Sequence, residues 1–252
     1  MLKKQFDQLA LEIHGDRAAS GRAAGLAAAA AIQKALAEKG TARVIFAAAP
    51  SQNETLATLA AAEGIRWRDV TAFHMDEYHS LAENAPQRFA RYLDAHIFGR
   101  VPFGAVHRIP CSPDADPAAV CAAYAEKLAA APVDVVCLGV GENGHIAFND
   151  PPVDFRDPQL VKVVALDEAC RQQQVNDGCF PSLDDVPRQA LTLTIPALMS
   201  ANRLICTVPG PRKRDAVRRM LFEDISELCP ASILRTHPNV TMYIDRDCWG
   251  EP

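Results

Sequence analysis

The sequence lacks the features of a membrane-bound or secreted protein. The alanine-rich stretch 23–31 is too short and too weakly apolar to cross a bilayer, which takes about 20 residues. Residues 1–5 lead into a polar segment, not into the apolar core of a secretory signal. The eight cysteines include no C-x-x-C pair, and Cys137 and Cys206 stand in apolar runs. We therefore expect a protein of the reducing cytoplasm without a membrane partner.

An excess of positive charge is also absent. The formal net charge is -5, and acids at Glu223 and Asp224 follow the basic residues at 212–214 and 218–219. Because no helix-turn-helix segment or basic arm is evident, we expect no nucleic-acid partner. There is no internal repeat, low-complexity linker or clear boundary, which predicts a single domain over residues 1–252.

The patterns that are present alternate between strand and helix. An alanine-rich helix is predicted from 17 to 39, with Gly40 as its stop. Apolar runs predict strands at 43–49, 70–75, 133–138, 203–208 and 240–245, with shorter candidates at 161–166 and 190–194. Further helices are predicted after a Ser51 cap, from Pro86, at 118–128 and at 212–221. This alternation predicts a Rossmann-like α/β fold: an open, mostly parallel sheet with helices on both faces.

Polar or glycine-containing loops follow four of the predicted strands, at 50–55, 76–78, 139–152 and 209–213. In parallel sheets, ligands bind outside the carboxyl ends of the strands. We therefore expect the four loops to meet at one edge of the sheet and to form one shared site.

The most informative of these loops reads GVGENGHIAFNDPP at residues 139–152. Its glycines let the backbone turn sharply, and His145, Asn149 and Asp150 follow within a few residues. The first six residues also fit the dinucleotide pattern G-x-G-x-x-G, but the pattern lies mid-chain and the pair Pro151-Pro152 forbids a long helix after it. An imidazole and a carboxylate in such a turn favour a site of proton transfer.

Asp76 and Glu77 follow another predicted strand. Strand alternation places them on opposite faces, so only Asp76 is expected to face the pocket. Asp76 fits a proton-transfer group and, equally, a cap of the following turn. His74, Asp76 and His79 carry side chains that can bind a metal, but their spacing fits no metal motif, and we expect no metal.

Two more residues fit a site of this kind. Asp150, five residues after His145, is suited to orient the imidazole and to hold the charge of its protonated form. Lys213 follows Gly210 at a predicted helix start, where an ammonium group and free backbone N–H groups favour a phosphate. On these residues alone, a solvated lysine in a basic run fits Lys213 equally well.

Together these segments resemble the glucosamine-6-phosphate deaminase (isomerase) family. FHMDEY at 73–78 is similar to the family's F-N-M-D-E-Y, and GHIAFNDP at 144–151 is similar to its G-H-I-A-F-N-E-P. Weaker likenesses are V-P-x-x-A-x-T at 186–192, G-x-x-K at 210–213 and L-x-x-H-P at 234–238. The order and spacing hold from about residue 43 to residue 247.

The resemblance implies a cofactor-free reaction in which an aminosugar phosphate and water give fructose 6-phosphate and ammonia. It implies that Asp76 moves a proton between C2 and C1, that His145 opens the sugar ring and that Asp150 tunes His145. Lys213 would bind the 6-phosphate. The expected site also includes Asn143 as a catalytic residue and these substrate or phosphate contacts: Ser51, Gln52, Asn53, Glu77 and Gly144. The implied partner is a small sugar phosphate, and a homo-oligomer is compatible with the sequence.

Two of the departures from the family pattern affect the expected catalytic and phosphate-binding groups. Asn143 stands where the family commonly has Asp, so either His145 has a lower proton affinity or Asp150 supplies the anion alone. The phosphate loop P-T-G-G-T-P reads PSQNET at 50–55, where Glu54 would repel a phosphate if it pointed inward.

Two other functions are alternatives to a deaminase. The same superfamily includes 6-phosphogluconolactonases, whose loop reads G-H-T-A-S-L-F-P, whereas residues 144–151 and 76–78 favour the deaminase branch. A non-catalytic sugar-phosphate sensor would usually carry a DNA-binding module, and none is evident here.

Overall fold

The computed structural model describes residues 1–250. Its eleven strands are β1 Leu2–Phe6, β2 Leu9–His14, β3 Ala42–Phe46, β4 Val70–His74, β5 Asp76–Tyr78, β6 Ala105–His107, β7 Val135–Leu138, β8 Val161–Ala165, β9 Gln189–Leu193, β10 Arg203–Val208 and β11 Val240–Asp245. Its eight α-helices are α1 Arg17–Lys39, α2 Asn53–Ala60, α3 Phe89–Leu93, α4 Pro117–Ala129, α5 Glu168–Asn176, α6 Ile195–Met199, α7 Arg214–Phe222 and α8 Arg246–Trp249.

The strands form a large and a small sheet. The large sheet has the order β1-β2-β11-β10-β7-β3-β4-β6, and all its neighbours are parallel except the antiparallel hairpin of β1 and β2. The small sheet, β5-β9-β8, is antiparallel. The predicted α/β fold with a mostly parallel sheet is confirmed, whereas neither the hairpin nor the small sheet was predicted.

The large sheet divides the core into two layers. Neighbouring residues of β7, Cys137 and Leu138, point into opposite layers because side chains alternate along a strand. Helix α1 covers one layer, and α4 and α7 cover the other. Both faces are therefore buried, which explains the almost continuous apolar sequence of the central strands.

Helix α1 shows how the local sequence sets an element. The side chain of Asp16 accepts a hydrogen bond from the N–H of Ala19, and the helix ends at Gly40, whose φ of 78° suits a residue without Cβ. The predicted stop at Gly40 is confirmed. Within residues 1–250, no helix is both long and apolar enough for a membrane span.

Two predicted helix starts are wrong. Ser51 lies in a short 3-10 turn, Pro50–Gln52, and makes no capping bond to α2. Helix α3 starts at Phe89 and not at Pro86, because the carboxylate of Glu77 accepts the N–H groups of Phe89 and Ala90 from across the fold. The single domain over 1–252 stays a prediction, and residues 251–252 lie outside the described part.

Candidate active site

A cavity of about 270 Å³ lies at the carboxyl ends of the parallel strands. Its walls come from the residues that follow β3 (47–51), β4 (75–76), β7 (139–141, 145 and 147–148) and β10 (209–213), together with Arg17 and part of α5. The expected meeting of four loops at one sheet edge is confirmed. Asp76, His145 and Lys213, far apart in the sequence, all line this one cavity.

Asp76 is positioned where the chain passes from the large sheet to the small one. The preceding residue, Met75, donates its N–H to the carbonyl of Phe46 in β3 and accepts the N–H of Leu193 in β9. The Asp76 side chain is buried against the cavity, and within residues 1–250 its carboxylate has no hydrogen-bond partner. Burial, followed by the charge of Glu77, raises the pKa of Asp76 well above the usual range. Such a carboxyl is suited to exchange a proton with a ligand.

Glu77 points the other way, as alternation predicts. It is fully buried, lies outside the cavity lining, and accepts the N–H groups of Tyr78, Phe89 and Ala90. Burial raises its pKa to about 7, although these hydrogen bonds and the charge of Arg88 favour the ionised form. The expectation that Glu77 contacts substrate does not match this position: the residue holds the start of α3.

The imidazole of His145 lies on a closely fitted turn. A Cβ built on Gly141 would lie 2.3 Å from ring atoms of His145, so only glycine leaves room for the ring. The N–H of Gly141 donates to the carbonyl of His145 over 2.9 Å and closes the turn. Gly144, expected to touch substrate, is outside the cavity lining and turns the chain with a φ of 92°.

Asn143 and Asp150 lie behind His145 rather than in the cavity wall. The Oδ1 of Asp150 is 3.1 Å from the Nδ1 of His145 and accepts the Nδ2 of Asn143 over 3.1 Å. Burial alone would raise the pKa of Asp150, but the hydrogen bond and charge of His145, with the Asn143 and Asp167 donors, lower it overall. The carboxylate is thereby kept ionised beside the imidazole.

Lys213 supplies a cation without a protein counterion. Its side chain is buried, lines the cavity, and within residues 1–250 forms no hydrogen bond or ion pair. Burial lowers its pKa, an effect opposed by Asp177 and Glu142. A buried ammonium group with no partner that faces a cavity is suited to bind an anion. This position does not fit a solvated lysine.

Arg17 is a site residue that sequence reasoning missed. It begins α1, yet its guanidinium lines the cavity, donates to the carbonyl of Pro50 and pairs with Glu54 over 2.8 Å. Glu54 is thereby neutralised, so the repulsion expected from that carboxylate is offset. No local motif marks Arg17, because its contacts lie 33 and 37 residues along the chain.

The loop at 50–55 contributes less than expected. Ser51 lines the cavity, but Gln52 is fully buried and donates to the carbonyl of Thr207 over 3.2 Å. Asn53 is outside the lining, and its side chain accepts the hydroxyl of Tyr92. Among these three residues, only Ser51 lines the cavity.

Two glutamines of α5, Gln173 and Gln174, were also missed. Both are buried and line the cavity. The Oε1 of Gln173 accepts the N–H of Glu142 over 2.8 Å, and the Oε1 of Gln174 accepts the hydroxyl of Tyr78 over 2.7 Å. These bonds orient the carboxamides and leave their NH₂ groups to donate to a ligand. A polar pair within a short helix carries no sequence signal of this role.

The site does not fit a dinucleotide. After Gly144 the chain forms a turn with an isolated bridge between Ile146 and Asn149, and no helix begins there to receive a pyrophosphate. The dinucleotide alternative is therefore wrong on geometry.

One group of potential metal ligands occurs within residues 1–250: His145, Asp150 and Cys170, with ligand atoms within 4.8 Å of one another. Asp150 already contacts the imidazole and accepts an amide donor, and burial raises the pKa of the Cys170 thiol. This hydrogen-bonded set favours proton transfer over metal binding. His74, weighed earlier as a ligand, is fully buried and accepts the N–H of Ile109 over 2.7 Å. The absence of a metal and of a cofactor stays a prediction.

Two relatives match most of this chain in sequence. Glucosamine-6-phosphate deaminases of Bacillus cytotoxicus and Bacillus cereus are each 36% identical over 178 residues. The matched segment covers 71% of this chain and 66%, just under two thirds, of each relative.

Solved structures share the fold over nearly the full length. A monomeric glucosamine-6-phosphate deaminase superimposes with a TM-score of 0.85 at 29% identity, covering 95% of this chain and 98% of its own. A 6-phosphogluconolactonase of Thermotoga maritima gives a TM-score of 0.74 at 20% identity, over 94% and 99% of the two chains, and so shows the fold alone. The model of one family, described as glucosamine-6-phosphate isomerases/6-phosphogluconolactonase, matches residues 15–243. With the cavity and the loops that line it, this match makes the chain a member of the glucosamine-6-phosphate isomerase/6-phosphogluconolactonase family.

Proposed function

We propose that this protein is a glucosamine-6-phosphate deaminase, an enzyme of amino sugar catabolism in the cytoplasm. It would convert glucosamine 6-phosphate and water to fructose 6-phosphate and ammonia. The observation that carries the proposal is one cavity with three complementary groups: the free carboxyl of Asp76, the imidazole of His145 backed by Asp150, and the free ammonium of Lys213.

The first step falls to His145. The neutral imidazole takes the proton of the anomeric hydroxyl and returns a proton to the ring oxygen, so the C1–O5 bond breaks and the open-chain aldehyde forms. Asp150 stabilises the charge that the ring carries in between.

The second step falls to Asp76. The carboxylate removes the proton from C2 of the open-chain sugar while the aldehyde oxygen O1 takes up a proton from solvent, which gives an enolamine. The carboxyl then delivers its proton to C1 and the amino nitrogen returns one proton to solvent, which leaves an imine at C2. Water adds to this imine, and ammonia leaves as the ketone forms. Burial raises the pKa of Asp76, which makes its ionised form a stronger base than an exposed aspartate.

The 6-phosphate is assigned to a separate group of donors, the cationic wall, defined by Arg17, Ser51 and Lys213. Lys213 lacks a protein counterion, and Ser51 and Arg17 line the same cavity. Binding energy gained at the phosphate can hold C1 and C2 near Asp76 and His145. This arrangement requires no metal or cofactor.

Ammonia release from the purified protein tests the proposal. Glucosamine 6-phosphate, galactosamine 6-phosphate and 6-phosphogluconolactone are assayed in parallel, with a blank for spontaneous lactone hydrolysis. We expect ammonia and fructose 6-phosphate in equal amounts from the gluco sugar. Faster lactone hydrolysis without ammonia release would favour the lactonase alternative, and binding of all three without turnover would favour a sensor.

A further inference from the structure

The side chain of Asn143 lies between two carboxylates. Its Nδ2 donates to the Oδ1 of Asp150 over 3.1 Å and to the Oδ2 of Asp167 over 3.4 Å. Its Oδ1 accepts the N–H of His145 over 3.0 Å. One amide therefore connects the imidazole turn, the carboxylate behind the imidazole and a second carboxylate at the start of α5.

Asp167 is fixed by contacts of its own. Its Oδ1 caps α5 by accepting the N–H of Cys170 over 2.6 Å, and its backbone N–H donates to the Oδ2 of Asp150 over 3.4 Å. Asp150 and Asp167 are thus joined both through the Asn143 amide and directly. Rigid positioning of this kind holds a functional side chain within a fraction of an ångström.

The charges around this network are unbalanced. No lysine or arginine pairs with Asp150 or Asp167 within residues 1–250. Arg219 of α7 donates only to the backbone carbonyl of Asn143, over 2.7 Å. The thiol of Cys170 in α5 lies within 4.8 Å of Asp150, and Asp76 lines the same cavity as His145. The only group here that gains positive charge during turnover is the imidazole of His145.

We propose that Asp167 is a positioning residue of the reaction, acting through the Asn143 amide on Asp150 and His145. This inference rests on the proposed function, in which His145 takes up and returns a proton. The amide holds Asp150 against the ring, and the second carboxylate adds to the field that stabilises the imidazolium. Asp167 thus compensates for an uncharged residue at position 143.

The arrangement requires an amide at position 143 for a physical reason. An aspartate there would keep the acceptor for the His145 N–H but would replace the NH₂ donor with a third carboxylate. Three carboxylates would then meet with no donor between them, which is unfavourable. The residue at 143 and the residue at 167 are therefore expected to depend on each other.

The test is a double-mutant cycle with Asn143→Asp, Asp167→Asn and the combined variant, assayed for kcat, KM and pH dependence. We expect Asn143→Asp to lower kcat on cyclic glucosamine 6-phosphate by about 100-fold, the size of effect that follows small misplacement of a catalytic group. The combined variant again pairs one carboxylate with one amide across the contact between positions 143 and 167, and it should recover at least tenfold of that loss. Asn at 167 remains able to cap α5, so thermal unfolding should change little.

A merely structural role of Asp167 predicts no change in the pH dependence of the reaction. The positioning role predicts that the acid limb of the pH–rate profile moves to lower pH in Asp167→Asn, because the imidazolium loses a stabilising charge. Activity of Asn143→Asp equal to wild type, or no recovery in the combined variant, would overturn the inference.

A second measurement is independent of turnover. The titration of His145 is followed by NMR in histidine-labelled protein, with the signal assigned through His145→Gln. The midpoint should fall in Asp167→Asn, and an unchanged midpoint would reject the role of Asp167. Wild-type protein that releases no ammonia from any sugar phosphate would remove the proposed function, while the NMR titration would still test the network.

Discussion

Two regions of the same cavity are built on opposite principles. In the turn from Gly141 to Asp150, the polar groups around His145 are bonded to one another, and an amide, a carboxylate and a glycine fix the ring. In the cationic wall, Lys213 is buried without a partner. The first region is held in place by its own contacts, whereas the ammonium group of the second needs an anion to satisfy it.

This difference separates two kinds of catalytic contribution. A pre-organised group acts in the transition state, and its loss should lower kcat. An unsatisfied cation acts on the bound phosphate, and its loss should raise KM. The following substitutions test the contrast, beginning with the largest expected effect.

Asp76→Asn should lower kcat by about 1000-fold or more, because the amide cannot accept the C2 proton. Glu77→Gln is the matched control for a neighbouring buried carboxyl outside the cavity, and it should affect stability more than the chemical step. Turnover near wild type in Asp76→Asn, measured as ammonia release, would remove Asp76 from the mechanism.

The same substitution should change stability with pH. The pKa of Asp76 is raised in the folded protein, so its contribution to stability is present at low pH and is lost as the pH rises through the folded pKa. Asp76→Asn should therefore have a higher Tm than wild type at pH 8, and the difference should shrink toward pH 4. A Tm difference that is constant over this range would contradict the buried-carboxyl argument.

His145→Gln should lower kcat on the cyclic sugar by roughly 100-fold, because the ring must then open without a proton shuttle. On an open-chain analogue the loss should stay below about tenfold, since Asp76 acts after ring opening. His107→Gln, in β6 and outside the cavity lining, serves as the control. Equal losses on both substrates would reject the ring-opening role.

Lys213→Ala should raise KM for the phosphorylated sugar by about 10- to 100-fold with little change in kcat, because a charged hydrogen bond contributes about 1.5–3 kcal/mol. Arg218→Ala removes an exposed cation from the same helical region without reaching the cavity and should leave KM unchanged. An unchanged KM in Lys213→Ala would show that the ammonium does not bind the phosphate.

Arg17→Met should have the smallest effect, a rise in KM of about threefold to tenfold, because the guanidinium is already paired with Glu54 and partly exposed. Adding Glu54→Gln removes the carboxylate that Arg17 neutralised and should restore part of the affinity. A rise in KM as large as that of Lys213→Ala would show that Arg17 contributes as much as Lys213 to phosphate binding.

The sequence predicted the large sheet and the residues that local patterns mark. Strands β10 and β11 match their predicted bounds because a continuous apolar run is typical of a strand that is buried on both faces of a parallel sheet. Asp76, His145 and Lys213 could be proposed because each follows such a strand. The hairpin of β1 and β2 was missed since the residues of β1 are mostly exposed and carry two lysines.

Contacts between distant segments could not be predicted. Arg17 reaches the cavity because α1 packs closely on α2, with Gly21 against Glu54 and Gly25 against Thr58. The start of α3 is set by Glu77, and Asp167 reaches Asn143 from another helix. In each case the partner is fixed by tertiary structure, and no spacing in the sequence indicates it.

Gly141 gives the six-residue pattern at 139–144 a different meaning. In a nucleotide-binding turn the second glycine admits a pyrophosphate, whereas here it admits an imidazole from its own loop. A side chain at position 141 therefore requires the His145 ring to move or to be replaced by a smaller group. In a relative without this histidine, the ring would no longer require a glycine at position 141, and the G-x-G-x-x-G pattern would no longer be needed at this turn.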